Sequence, residues 1–388
     1  MAYISLSRAI PPSVRRNAFN LARCWVSVAQ LKKKAPVVWD ALMLQGGGAL
    51  GAYEWGVWEA LESRGMDYSL VTGVSIGAIN AAIISSRGKE ATTYLGRFWE
   101  SAADPLADLP FMTDPFRQHY AVLKSMVAGN PSMFLPGWWK TAAQGFHGPG
   151  TLGLYDPAPL RKLILKAVDF AALSRSPRKL IVSAVDVTNG RLTHFDSRKT
   201  TLSIDHVMAS GALPPAFPPV LIDGRWYWDG GIVSNTPLRH IIESLSPGDP
   251  KRILLIELFP REHRLPRNIE EVFNILKDLS YMNRVELTNE RHRQAEAMRV
   301  LLERARGNGG RLAPSPEIDR LAEQYAHSVE LFTISHSAHA EDQGMRDADF
   351  SPRSLRRRRE EGRHAALEAM NRWEKEKSWV PFSCRSAQ

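Results

Sequence analysis

Short apolar runs and helix-spaced segments alternate along the chain in an order that predicts a parallel sheet. Val37-Val38-Trp39 and Ala41-Leu42-Met43-Leu44 frame a first strand. A glycine-rich stretch follows, and then apolar positions Ala52, Trp55, Gly56 and Ala60 keep near-helical spacing toward Arg64. Gly65 suits a helix C-terminus. Asp67 to Thr72 leads into a short buried strand, and Ala78-Ile79-Asn80-Ala81-Ala82-Ile83-Ile84 opens an Ala-rich helix. Strand, helix, strand and helix in that order form a βαβ unit, whose strands run parallel.

The pattern continues downstream. Pro157 to Phe170 reads as an amphipathic helix and Lys179 to Val185 as a strand. Asn189-Gly190 is a hairpin turn leading into Leu192-Thr193-His194-Phe195. A helix from Ile204 must stop by Pro214-Pro215. Ile222 to Trp228 predicts a short hairpin that delivers Asp229-Gly230-Gly231 to a tight turn. Ile253 to Phe259 reads as the last core strand, with Pro260 ending the sheet. Beyond it, Ile269 to Arg306 predicts a long helix or helix pair, Gly307-Asn308-Gly309-Gly310 a loop, Val329 to Ser335 a strand, and Ser354 to Trp373 a basic helix.

Composition adds three constraints. A chain of 388 residues with 44% hydrophobic and 23% charged residues supports a substantial core. No apolar run is long enough to span a bilayer. Cys24 and Cys384 lie at opposite ends, which argues against a disulfide framework and for a reducing compartment. The net charge of +9 is unevenly placed. Met1 to Trp39 holds seven Lys/Arg and no acid, and Arg356 to Arg359 form a second cluster. Residues 1–37 therefore form a basic arm, read either as a transit-like or membrane-surface segment or as a plain extension. The C-terminal arginines suit lipid phosphates, nucleic acid or simply a solvated helix face. From 99 to 155, aromatic residues and methionines lie among prolines and glycines. That stretch reads as a lid or acyl channel, or as ordinary packing of irregular structure.

The chemistry gathers at three places. Gly73-Val74-Ser75-Ile76-Gly77 stands between a strand and a helix, the setting of a nucleophile elbow. Two glycines permit the sharp turn, Ser75 is exposed at the strand end, and the N–H groups opening the next helix, from Ile76, point toward developing negative charge. Gln45-Gly46-Gly47-Gly48-Ala49-Leu50-Gly51 follows the first strand. Its Gly46-x-Gly48-x-x-Gly51 spacing also fits a dinucleotide fingerprint, which needs an acid at the end of the second strand. Ser75 occupies that place and Asp67 precedes the strand, so an oxyanion hole from Gly46, Gly47 and Gly48 is the better reading. Asp229, presented before Gly230 and Gly231, is the candidate base. An aspartate accepts a serine proton when it is partly desolvated and directly hydrogen-bonded.

Taken together, the glycine run, the Ser75 elbow and Asp229-Gly230-Gly231, supported by Ala209-Ser210-Gly211-Ala212-Leu213-Pro214-Pro215-Ala216-Phe217-Pro218-Pro219, resemble the patatin-like phospholipase family over roughly residues 38 to 260. The resemblance implies a three-layer α/β/α fold with a mostly parallel central sheet. It also implies a Ser75–Asp229 dyad without histidine, an oxyanion hole from the glycine run, and hydrolysis of lipid acyl esters. Gly51, Gly73, Gly77, Gly230 and Gly231 complete the matching motifs. Leu50 departs from the family, which often has Arg or Lys there; if residue 50 faces the mouth of the site, discrimination between phospholipids and neutral esters is poor. Residues 261–388 are similar to a mainly helical C-terminal extension of some bacterial members, through Asp347-Ala348-Asp349-Phe350-Ser351 and the arginines after Ser354-Leu355. The resemblance further implies a cytoplasmic protein, or one peripheral at a membrane, with a lipid or acyl-ester substrate, no cofactor, no metal and no nucleic-acid partner.

Competing readings are a short-chain or polyester esterase, a Ser-His-Asp hydrolase with His240 after Asp229, and a non-catalytic membrane-binding scaffold.

Overall fold

The computed structural model describes residues 37–108, 113–137, 148–245, 251–260, 263–269, 271–281, 294, 298, 301, 329–337 and 345–375. The basic arm up to residue 36, most of the helix expected from Ile269 to Arg306, the loop after it, and Phe111, Met112, Trp138, Trp139 and Phe146 lie outside the described residues.

Eight strands form one sheet: β1 (Val37–Leu44), β2 (Met66–Gly73), β3 (Lys179–Asp186), β4 (Leu192–Asp196), β5 (Val220–Ile222), β6 (Arg225–Asp229), β7 (Lys251–Glu257) and β8 (Val329–Ser335). Their order is β8-β7-β1-β2-β3-β6-β5, with β4 paired to β3 off this path. The pairs β8–β7, β7–β1 and β2–β3 are parallel, whereas β3–β4, β3–β6 and β6–β5 are antiparallel. Strands β3 and β7 are buried at every position after their first, as strands covered on both faces by helices are.

The apolar pattern alone ends the sheet at Pro260; the structure differs. Strand β8 comes from the C-terminal region and adds in parallel to β7, Val329 opposite Lys251 through to Ser335 opposite Glu257. Without it, the apolar strand β7 would present a row of unpaired backbone groups at a sheet edge. The C-terminal region is therefore mixed in structure and shares the central sheet.

Helices α1 (Gly51–Ser63), α2 (Ile76–Arg87), α3 (Ala91–Ala102), α4 (Asp114–Ala128), α5 (Ala158–Ala167), α6 (Ile204–Ser210), α7 (Leu238–Ser244) and α8 (Pro352–Lys375) flank the sheet. On one face Leu238 and Ile241 of α7 pack against Ala41, Met43, Ile253 and Leu255. Helices α1, α2, α3 and α8 pack together as another layer, giving an α/β/α architecture. Helix α2 is buried from Ile76 through Ser85. Its residues are mostly small and apolar, and the buried Asn80 is satisfied by the Gly51 carbonyl, Glu54 and Trp99.

Helices α1 and α8 interlock at two glycines. A methyl group built on Gly56 would lie 1.8 Å from the Arg359 carbonyl oxygen, and one on Gly362 would lie 2.1 Å from that of Tyr53. Two of the arginines on α8 are structural. Arg358 is buried and donates to the carbonyls of Asp349 and Arg346, each at 2.8 Å. Arg359 makes two 2.8 Å bonds to Glu59 and lies 4.2 Å over the Trp55 ring.

Candidate active site

Strand β2 ends at Gly73, and α2 begins at Ile76 with Ser75 as its N-cap. Ser75 has φ 55° and ψ −125°, a conformation that non-glycine residues rarely adopt. The turn is this tight because the chain nearly touches itself. A methyl on Gly73 would sit 2.1 Å from the Gly77 carbonyl oxygen, and one on Gly77 would sit 2.6 Å from that of Leu44. The Ser75 N–H donates to Ser210 Oγ at 3.0 Å, and that hydroxyl donates to the Ser183 carbonyl at 2.7 Å. The α6 serine thereby fixes the elbow to β3.

Sheet register brings the acid to the elbow. Along β3, Gly73 is level with Val182 and Asp229 with Ala184. Strand β4 takes the other edge of β3 from Ile181 to Val185, so β2 and β6 share one edge. Two residues of strand advance roughly 7 Å, which carries Asp229 just past the end of β2. Its carboxylate is buried, faces the Ser75 hydroxyl, and accepts the Gly231 N–H at 2.7 Å. Burial raises this carboxyl to about 6, against the opposing effects of the Ser75 hydroxyl, the Gly231 hydrogen bond and the Lys277 cation. Gly230 lies close beneath: a methyl there would be 2.5 Å from the Ser183 carbonyl oxygen.

The glycine loop lies beside Ser75. A methyl on Gly46 would meet Ser75 Cβ at 2.7 Å. Gln45 anchors the loop, donating to Thr236 Oγ1 at 2.8 Å and accepting the Leu258 N–H at 2.9 Å. The sequence reading counts Gly46 among the oxyanion donors; the structure corrects this. The Gly46 N–H donates to Asn235 Oδ1 at 2.7 Å, and the Asn235 amide returns a bond to the Gly46 carbonyl at 3.0 Å. Gly46 is the hinge by which the loop is held, leaving Gly47, Gly48 and Ile76 as donor candidates.

A family model described as patatin-like phospholipase matches residues 42–242, over half of the 388-residue chain. The chain belongs to the patatin-like phospholipase family. A second model, described as patatin phospholipase, matches residues 279–380. The uncharacterized protein YqhO of Bacillus subtilis is 27% identical over 252 residues, 60% of this chain and 76% of YqhO. Among solved structures, VipD from Legionella pneumophila is 17% identical with TM-score 0.38, covering 87% of this chain and 67% of VipD. The type III effector ExoU is 16% identical with TM-score 0.31, covering 86% of this chain and 53% of ExoU. Human GIVD cytosolic phospholipase A2 is 13% identical with TM-score 0.35, covering 87% and 60%.

Two features separate this patatin-like site from the sequence reading. Leu50, expected at the mouth of the site, is 1% exposed in the 3-10 turn that leads into α1. It packs inward because that turn already faces the core, so it cannot read a head group. His240, the alternative base, is stacked 3.8 Å on His194, which in turn bonds Ser183 Oγ at 2.8 Å. Burial lowers the affinity of both rings for protons, His194 to about 4, and it is Asp229 that faces the Ser75 hydroxyl.

Sequence reasoning missed Asn235, Ser210, Lys277 and Asp347. Ser210 stands within a recognised block, and Asn235 follows Asp229-Gly230-Gly231 by four residues, but neither carries a local signal of its contact. Among the described residues, no group of three His, Cys, Asp or Glu gathers as metal ligands would, and no helix is long and apolar enough to cross a membrane.

Proposed function

We propose that the protein is a serine-type lipid acyl hydrolase in which Ser75 and Asp229 act as a dyad. The observation that carries this reading is the placement of the Ser75 hydroxyl beside a buried carboxylate of raised proton affinity. Ser75 Oγ attacks the acyl carbonyl while Asp229 takes its proton. The oxyanion is held by the N–H groups of Gly47 and Gly48 with that of Ile76, at the start of α2, whose dipole favours negative charge. Collapse breaks the ester C–O bond, and Asp229 returns the proton to the departing alcohol. Water, deprotonated by Asp229, then attacks the acyl-serine and frees the acid and Ser75.

A small apolar cavity with room for little more than a water molecule is lined by Ile79, Leu160, Ile164, Met208 and Phe217. It reaches Ala212, whose carbonyl accepts the Asp229 N–H at 3.0 Å. Exposed apolar residues support work at a lipid surface: Phe116, Leu123 and Val127 on α4, and Ile269, Phe273 and Leu276 before and along helical residues 271–281. No cofactor or nucleic acid enters this reading.

The test is labelling by a fluorophosphonate probe, together with hydrolysis of acyl esters varied in chain length and head group. Labelling and turnover that both vanish in Ser75→Ala support the proposal. An unlabelled wild-type protein, inactive on every ester, would leave a non-catalytic lipid-binding protein instead.

A further inference from the structure

The region beyond residue 260 reaches the site from two directions. Helical residues 271–281 present Lys277 and Asp278 to a 3-10 turn at Arg346–Ala348. Lys277 pairs with Asp347, and Arg346 with the buried Asp278, so two adjacent ion pairs of opposite polarity join the helix to the turn. The turn touches the glycine loop: a methyl on Gly48, which has φ +55°, would lie 2.4 Å from the Asp347 carbonyl oxygen. The helix touches the acid turn: a methyl on Gly231 would lie 3.5 Å from Tyr281 Cε1 and 3.1 Å from Asp229 Oδ1. Tyr281 is stacked 4.6 Å on Phe259, just past the end of β7.

The turn is itself firmly held. The Asp349 carboxylate accepts the Ser351 N–H at 3.0 Å and the Ser354 hydroxyl at 2.5 Å. The Phe350 carbonyl accepts the Asp104 N–H at 2.9 Å, and Arg117 donates to Ser351 Oγ at 2.9 Å. The segment Asp347 to Ser354 is thus a brace against α3, α4 and α8.

We propose that Lys277 and Asp347 are positioning residues of the ester-hydrolase site, their ion pair tying the wall beside Asp229 to the wall beside Gly48. Acid and oxyanion donors then keep one spacing through the reaction. The inference rests on the reading of Ser75 and Asp229 as the dyad. Asp229 is faced by the Ser75 hydroxyl, the Gly231 N–H and the Lys277 charge. Lys277 is faced by Asp347, and the neighbouring pair is Asp278 with Arg346, flanked by His263 at 3.6 Å. Lys277 acts to lower the proton affinity of Asp229, in agreement with this arrangement.

The test measures pH profiles of kcat/KM on a soluble acyl ester for wild type, Lys277→Met, Lys277→Arg and Asp347→Asn, with melting curves to check folding. Removing the cation should move the acid limb to higher pH and lower the plateau roughly tenfold or more, through kcat rather than KM. Removing the anion should lower the plateau but move the acid limb to lower pH, because the cation is then unneutralised. Lys277→Arg should keep the wild-type profile. Opposed limbs with a lowered plateau sustain the proposal. Limbs that stay put or move together, or an unchanged plateau, would overturn it and leave a merely structural ion pair. Should Lys277→Met fail to fold, the direction of the Asp347→Asn limb decides alone. Fluorophosphonate labelling lost only in Ser75→Ala keeps the dyad in place whichever way the limbs move.

Discussion

Asn235 grips one residue by both of its backbone groups, accepting the N–H of Gly46 and donating to its carbonyl. A side-chain amide supplies both roles at one carbon, on separate atoms and without titrating. Asn235→Ala leaves two buried backbone groups unpaired, each a loss of about 1–3 kcal/mol. We expect a clear fall in melting temperature and a kcat lowered about a hundredfold as the neighbouring oxyanion donors drift. Asn235→Asp keeps the acceptor but places a charge against the Gly46 carbonyl, so its kcat should be low as well. Turnover on a soluble ester, measured beside thermal melts, checks both; unchanged turnover in Asn235→Ala would remove the loop from the oxyanion hole.

The acid limb of kcat/KM should follow Asp229. On the proposed reading the carboxylate is the active form, so activity should be lost as pH falls through about 6. The same group bears on stability with the opposite sense. Its folded value lies above the ordinary 3.8, so the folded state holds a proton that the unfolded chain has released. Stability therefore declines as pH rises through that window, by about 3 kcal/mol in all, and stays lowered above it. Asp229→Asn should abolish hydrolysis yet melt higher than wild type at neutral pH. The difference should vanish below the ordinary aspartate value. A variant no more stable than wild type at neutral pH would refute the argument.

Two inactive variants of Ser75 should differ in stability. Ser75→Ala removes the hydroxyl but keeps a Cβ at φ 55°. Ser75→Gly removes both, relieving a conformation that costs a non-glycine residue about 1–3 kcal/mol. The added freedom of an unfolded glycine offsets about 0.4–1 kcal/mol of that gain. Denaturant unfolding should rank Ser75→Gly above Ser75→Ala, and the reverse order would mean the elbow is unstrained.

Gly362→Ala should destabilise although alanine is the better helix former. Its methyl would meet the backbone of Tyr53 at 2.1 Å, and neither helix can yield. A loss of about 1–3 kcal/mol is expected, against a change within about 0.5 kcal/mol for the exposed Arg363→Ala. Equal stabilities for the two would show that α1 and α8 slide freely.

The parts of this site that the sequence made legible are those built from neighbours in the chain. Gly73, Ser75 and Gly77 make one turn, and Asp229-Gly230-Gly231 make another, so residue type and spacing reveal both. Gly46, Gly47 and Gly48 look alike in sequence. What separates Gly46 is an asparagine 189 residues away, brought in by the fold. The inward direction of Leu50 is not legible, because helix position gives no direction until the rest of the core is packed. The pairing of Lys277 with Asp347 spans 70 residues, and neither partner stands in a motif that names the other. Strand β8 was legible as a strand, but not as a neighbour of β7, because pairing between distant segments leaves no periodic trace.

The late position of β8 and α8 has a consequence for how the protein is made. A nascent chain that has emerged as far as Pro260 already carries Ser75, Asp229 and all three loop glycines. It has an open edge on β7 and nothing seated on Gly48 or Gly56. On the proposed reading, the glycine loop gains its seat only when the far segments leave the ribosome and close on it. A fragment released by a stalled ribosome would hold Ser75 and Asp229 yet lack the chain that packs on Gly48 and pairs with β7.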